Sequence, residues 1–416
     1  MPNSGQRTAE EDLRIAIGDW IVAQALAGAN EVEILTGICE RMNRAGLPIW
    51  RASVAHNLLD PTFDARGVRW HRIEGAEEEE FLRSDDPLQE EAWTRSPFFR
   101  LLESKQPTLR RRLDATYSRG EFPMLDRFQD EGAADYVAFA ARVGENVRLG
   151  EGEGVAVSWT TDVPEGFSHD QIQLLDGIMP PLTLAFMLRT MNRTARTLIR
   201  TYLGSDAAER VLAGNIVRGR AEPISAVIWF SDLVGFTRIS DTSSPGTVLE
   251  LLNDYAEAQV EEIEARGGHV LKFIGDGILA IFPQDDMARA CGCALDAAAN
   301  LTGRIATLNA RRTAHGMPVT STHIALHVGE LLYGNLGSPR RLDFTVLGPA
   351  VNEAARIESF CASLEQAVIV STAFAEASGQ ARRRLVSVGR YAMKGVARPQ
   401  ELFTLDPAYA LSESSS

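Results

Sequence analysis

Two aspartates stand where apolar runs end. Asp232 follows the apolar run 224–230, and Asp276 occupies a Gly275-Asp276-Gly277 turn between two further apolar runs, 269–274 and 278–282. Short apolar runs bounded by turn residues read as buried strands, so each carboxylate is expected at the rim of a sheet. Carboxylates presented there suit Mg2+, which takes a few acidic ligands and completes its shell with water and substrate phosphates. Gly235 lets the backbone after Asp232 approach closely, so that its N–H groups can face a phosphate. A Gly-Asp-Gly turn alone is a common connection, and the pair acquires meaning from its company.

The cations are part of that company. Of 42 basic residues only Lys105, Lys272 and Lys394 are lysines. An ammonium is a compact point charge and a guanidinium a planar fork. In a chain that defaults to arginine, each lysine asks for a reason. Lys272 lies four residues before Asp276, and Lys394 lies in Met393-Lys394-Gly395.

The series Phe230-Ser231-Asp232-Leu233-Val234-Gly235-Phe236-Thr237 and Lys272-Phe273-Ile274-Gly275-Asp276-Gly277 resembles the class III adenylyl and guanylyl cyclases. The resemblance continues through Gly329, Gly334-Asn335, Gly337, Thr345-Val346-Leu347-Gly348, Val351-Asn352, Ala355-Arg356 and Met393-Lys394-Gly395, and spans residues 222–406. It implies that Asp232 and Asp276 bind two metal ions, Mg2+ or Mn2+. It further implies that Lys272 selects the base and that Lys394 grips the terminal phosphates. Asn352 would position the ribose, and Arg356 would stabilise the transition state, as a fixed cation beside developing charge does. The metals would activate the ribose 3′-OH and assist departure of pyrophosphate.

Thr345 departs from the aspartate that many members carry there. Its hydroxyl can still accept from the adenine amino group. Lys272 with Thr345 resembles the subgroup that includes bicarbonate-responsive soluble cyclases, whereas guanylyl cyclases usually carry Glu and Cys. The implied activity is conversion of ATP to 3′,5′-cyclic AMP and pyrophosphate. The alternatives are a guanylyl or mixed-specificity cyclase, or a catalytically silent nucleotide-binding module. Family sites combine metal aspartates from one subunit with base-reading and transition-state residues from the other. This chain carries both sets, so a homodimer with shared sites is expected.

The elements that must position these residues interleave helix and strand, which predicts an α+β catalytic domain, a ferredoxin-like α/β sandwich, over 222–406. Strands are expected at 224–230, 269–274, 278–282 and 321–328, with a hairpin within 331–347. Helices are expected at 287–309 and 352–360. Residues 182–221 read as a helical transducer, either a short parallel coiled coil or a plain linker, from apolar residues at Leu184, Met187, Leu188, Met191, Leu198 and Tyr202. Residues 1–181 resemble a GAF-like sensor domain through the strand 154–160, the turn at Gly166 with Ser168 as helix cap, and the helix after it. An unidentified regulator would act there. The acidic stretch 77–91 reads as a solvated loop or helix face, Arg110-Arg111-Arg112 as a solvated helical face, and 407–416 as a disordered tail.

Composition narrows the rest. A net charge of −14 without a basic stripe argues against nucleic acid as a partner. The first residues lack the apolar core of a secretory signal, and the stretch 174–191 is broken by Asp176, two prolines and Arg189, so a cytoplasmic chain without a membrane span is expected. Cys39, Cys291, Cys293 and Cys361 match neither a zinc nor a disulfide spacing. His323 and His327 share one face of a predicted strand, in core or surface roles.

Overall fold

The computed structural model describes residues 9–82, 86–144, 154–393 and 399–407. It comprises two compact units, Met1–Leu198 and Ile199–Ser416. All but the first residue of the expected tail lies outside the described residues, as does Lys394.

In the first unit, α1 (Ala9–Ala27) and α2 (Glu31–Arg44) precede β1 (Arg51–Asn57), β2 (Phe63–His71) and β3 (Gly75–Leu82). There follow α3 (Pro87–Thr94), α4 (Pro97–Glu103), β4 (Thr108–Arg112), α5 (Pro123–Asp130), β5 (Asp135–Arg142), β6 (Gly154–Thr161), α6 (His169–Gly177) and α7 (Met179–Leu203), which runs past the unit boundary. The strands form one antiparallel sheet in the order β3-β2-β1-β6-β5-β4. One face packs Val54, Val137, Val157 and Trp159 against Ile21, Ile38, Leu175 and Phe186 of the helices. The other packs Tyr136 and Ala138 against Leu101, Leu125 and Phe128. Ser168 caps α6 as predicted, through a reciprocal pairing with Gln171.

One expectation fails in part and another fully. Residues 87–91 lie on α3, exposed at 88–91, as expected of the acidic stretch. Residues 77–82 are strand, because β2 supplies cations opposite the acids: Arg69 reaches Glu77 at 3.1 Å and Glu79 at 2.9 Å, and Arg66 pairs with Glu78 and Glu80. An edge strand tolerates such charge, and opposite-sign cross-strand pairs favour it. The three arginines at 110–112 lie on β4, not on a helix. Arg110 Nη2 donates to Asp135 Oδ2 at 2.6 Å, and the Phe167 N–H donates to the same oxygen at 2.9 Å. Asp135 is completely buried, so these partners replace its water.

By length and composition alone, His169–Leu203 could cross a membrane. Its Leu174, Leu175, Leu182, Ala185 and Phe186 are buried in the first unit, whereas Leu184, Leu188 and Met191 are exposed on α7.

The second unit opens with α8 (Ser205–Leu212) and β7 (Ala221–Leu233), then α9 (Phe236–Thr242), α10 (Pro245–Glu264), β8 (His269–Ile274), β9 (Gly277–Phe282) and α11 (Met287–Ala314). Next come β10 (Thr322–Ser338), β11 (Arg341–Leu347), α12 (Pro349–Glu358), α13 (Phe360–Leu364), β12 (Val368–Ser371), α14 (Thr372–Ala377), β13 (Leu385–Tyr391) and β14 (Gln400–Leu405). The sheet order is β13-β14-β12-β10-β7-β9-β8, with β11 on β10 as a hairpin, and β10–β12 is parallel. Within it, β7-α10-β8-β9-α11-β10 is a βαββαβ unit of the ferredoxin-like kind. Both faces of β7 are covered, which explains its unbroken apolar run. Val227 and Trp229 meet α10 and α11, while Ala226 and Ile228 face the opposite cluster with Ala207 of α8 and Ala350 and Ala354 of α12.

Asp135→Asn should lower the stability of the first unit by about 3 kcal/mol, the scale for breaking a buried ion pair. The readout is faster hydrogen exchange of β5 and β6 amides in the intact chain, with β7 and β9 amides unaffected.

Candidate active site

Asp232 and Asp276 come from segments 44 residues apart, and the sheet brings them together. β7 pairs with β9 from Val227↔Phe282 to Ser231↔Ile278, which sets the β8–β9 turn beside the end of β7. The Leu233 N–H donates to Asp276 Oδ2 at 3.3 Å. Gly277 is required by close approach, since a Cβ there would lie 2.4 Å from the Ser231 carbonyl oxygen. The strand also runs further than the sequence predicts, through Asp232 to Leu233.

Alternation on β7 sends Ser231 and Asp232 to opposite faces. The Ser231 hydroxyl donates to Gln259 Oε1 of α10 at 2.6 Å, and both side chains are buried. Thr320 ties down the chain beyond, its hydroxyl donating to the Val234 carbonyl at 2.6 Å while its N–H donates to the Tyr255 hydroxyl oxygen at 2.8 Å. The end of β7 that carries Asp232 is therefore braced from behind by α10 and by the segment before β10.

The Asp232 carboxyl is pushed up to about 7, first by burial, then by the hydrogen bond and charge of Asp276, then by the charge of Glu358. Glu358 itself is raised, by burial and then by Asp276. Glu358, at the end of α12, thus adds its charge to that of the two aspartates. A second carboxylate this near disfavours ionisation of the first, and a cation bound between them would favour it. Among the described residues no three acidic, His or Cys side chains are arranged to hold a metal. The donor set of Asp232 and Asp276 fits a hard divalent ion whose remaining ligands are phosphate and water.

The other predicted residues fall into two places. Lys272 Nζ donates to Asp343 Oδ2 at 2.5 Å, joining β8 to β11. Asp343 and Thr345 stand two apart on β11 and so share a face; Thr345 is buried and Asp343 exposed. Asn352 and Arg356 are exposed, one turn apart on α12, and among the described residues their side chains have no hydrogen-bond or ion-pair partner. The fold unites the aspartates with each other, and Lys272 with the strand of Thr345. It leaves Asn352 and Arg356 facing outward.

Sequence reasoning missed Asp343 and Glu358. Period two from Thr345 marks Asp343 as a second polar group on the same face of β11. Nothing in the spacing marks Glu358, because its place beside the aspartates depends on how α12 lies on the sheet.

A family model, the adenylate and guanylate cyclase catalytic domain, matches residues 220–407. The second unit is similar to this cyclase catalytic domain. The chain also has relatives among curated proteins. The chain is 35% identical over 148 residues to an adenylate cyclase of Anabaena cylindrica, covering 35% of this chain and 29% of the relative. It is 30% identical over 194 residues to adenylate cyclase 1 of Rhizobium meliloti (strain 1021), covering 44% of this chain and 28% of the relative. It therefore spans less than a third of these relatives' length. Among solved structures, a bacterial light-regulated adenylyl cyclase aligns at 25% identity and a TM-score of 0.46, over 55% of this chain and 65% of that one. The guanylyl cyclase Cya2 aligns at 29% identity and a TM-score of 0.39, over 45% of this chain and 96% of that one.

The raised Asp232 carboxyl has a consequence for stability. Between the ordinary carboxylate range and about 7 the folded state holds a proton that the unfolded state has lost, so stability falls as pH rises across that window. Thermal unfolding of the second unit in a chelator should show this fall. Asp232→Asn should flatten it, and added Mg2+ should oppose it at pH 7.

Proposed function

We propose that the chain is an adenylate cyclase, converting ATP to 3′,5′-cyclic AMP and pyrophosphate in a cytoplasmic homodimer under control of its first unit. The observation that carries this reading is the pair Asp232 and Asp276, held at one corner of the sheet with Asp232 pushed to about 7. In this reading the two aspartates hold Mg2+ or Mn2+, two ions per site. The metals, when bound, supply Lewis acidity at the 3′-oxygen and the phosphates.

The chain's own residues orient and neutralise. Lys272, held by Asp343, and Thr345 read the adenine edge. Lys394 takes the terminal phosphates as a point charge. Asn352 orients the ribose so that its 3′-oxygen faces the α-phosphorus. That oxygen gives up its proton to solvent water and bonds to phosphorus, and the bridging oxygen leaves with pyrophosphate. Arg356 opposes the charge that grows on the α-phosphate oxygens. The outward Asn352 and Arg356 favour a site completed across two copies, and the exposed Leu184, Leu188 and Met191 on α7 offer a second seam between them. The antiparallel sheet of the first unit, with α1, α2, α6 and α7 on one face, supports a GAF-like sensor whose signal leaves along α7.

ATP specificity is supported by Lys272 with Thr345, and by the adenylate cyclases among the relatives. Purified chain with Mg2+ or Mn2+ should turn over ATP at least tenfold better than GTP, measured as kcat/KM. Asp343→Ala should narrow that ratio several-fold by raising KM for ATP. Equal turnover of GTP would overturn the specificity. In a mixing assay, Asp232→Ala and Asn352→Ala chains should each keep only a low residual rate alone and regain activity together, through one intact site per heterodimer. No recovery on mixing would remove the shared site.

A further inference from the structure

Helix α12 lies along β10, and their contact repeats in step. Period two turns His323, Ala325, His327 and Gly329 to one side of the strand, while Ile324 and Leu326 join the core beneath α10 and α11. A Cβ at Gly329 would sit 2.5 Å from Ala350 Cβ, so the start of the helix is pressed onto the strand. Ala325 packs in one cluster with Ile357. His323 Nδ1 lies 3.7 Å from Glu358 Oε1 at the far end.

The middle of this seam is polar. His327 is 5% exposed. Its Nδ1 lies 2.9 Å from Ser371 Oγ, and its Nε2 lies 3.9 Å from Glu353 Oε2 on α12. The other Glu353 oxygen accepts from Gln400 Nε2 at 2.7 Å. Ser371 Oγ already accepts the Phe374 N–H at 3.0 Å, so its own proton is available to His327 Nδ1. That tautomer leaves the ring proton on Nε2, toward Glu353. Polar groups thus line up from β12 through β10 and α12 to β14, hydrogen-bonded at Ser371–His327 and at Gln400–Glu353 and in contact at 3.9 Å between His327 and Glu353. Buried polar groups specify geometry when each finds a partner.

We propose that the chain Ser371–His327–Glu353–Gln400 sets the rotation of α12 about its axis and so places Asn352 and Arg356. Glu353 adjoins Asn352 in sequence and precedes Arg356 by three, so the anchor and the exposed pair turn together. A roll of about 10° moves a side-chain tip ~5–6 Å from the helix axis by about 1 Å. Misplacement of that size can cost ~100-fold in rate. His327, Glu353 and Gln400 are positioning residues in this scheme. The inference rests on the roles given above to Asn352 and Arg356.

The test is kcat and KM for ATP in full-length variants, with thermal unfolding alongside. Glu353→Leu should lower kcat at least tenfold with KM for ATP within twofold. Glu353→Gln, which keeps the acceptor for Gln400, should retain most of the rate. In an Asn352→Ala background, Glu353→Leu should cost little more, since residues acting through one another are not additive. Gln400→Leu removes only the distal anchor; it should lower kcat about threefold, and it decides the matter if Glu353→Leu does not fold. If Asn352→Ala keeps wild-type kcat, the reading of Asn352 fails. If Asn352→Ala loses activity while Glu353→Leu and Gln400→Leu do not, or if the losses multiply, the positioning role alone is overturned.

Discussion

The repulsion between Asp232 and Asp276 is the constraint around which the second unit is arranged. Left to solvent, two carboxylates would separate and ionise independently. Here burial and each other's charge push Asp232 to about 7. The unit holds an unfavourable pair in place with interactions that are individually ordinary. These are the β7–β9 ladder, the Ser231–Gln259 hydrogen bond behind the strand, and the Tyr255–Thr320–Val234 links behind the loop. A site that costs stability without its ligand is matched to a ligand of opposite charge.

The same economy governs α12. Its buried side is tied to β10 by contacts running from Gly329 and Ala350 to His323 and Glu358, and its outer side shows Asn352 and Arg356 to solvent. Fixing one face by packing and polar anchors orients the other without any direct contact to it. Lys272 and Asp343 follow a related logic, an ammonium on β8 held by a carboxylate on β11, two residues from Thr345. In each case a residue proposed for the chemistry is placed by what its neighbours hold.

Much of this was legible in the chain. The Gly275-Asp276-Gly277 turn, the apolar runs on either side and the cap at Ser168 lie where local rules put them, because turn chemistry and side-chain period act over a few residues. The misreadings share a cause. The acids at 77–82 look solvated until β2 places Arg66 and Arg69 opposite them, and Arg110 looks like surface until Asp135 is buried beneath it. Charge in a sequence shows its sign and not its partner.

The sequence by itself determined the strands and the turn around Asp232 and Asp276, the scarcity of lysine and the ordered motifs that resemble a cyclase, since these depend on residue type and short spacing. Only the tertiary structure decided that Asp232 and Asp276 share one corner, that Glu358 adds its charge to them, that Lys272 rests on Asp343, and that His327 and Glu353 meet beneath α12. Those facts join residues 26 to 126 positions apart. At such separations proximity is fixed by sheet order and helix packing, and no local preference encodes it.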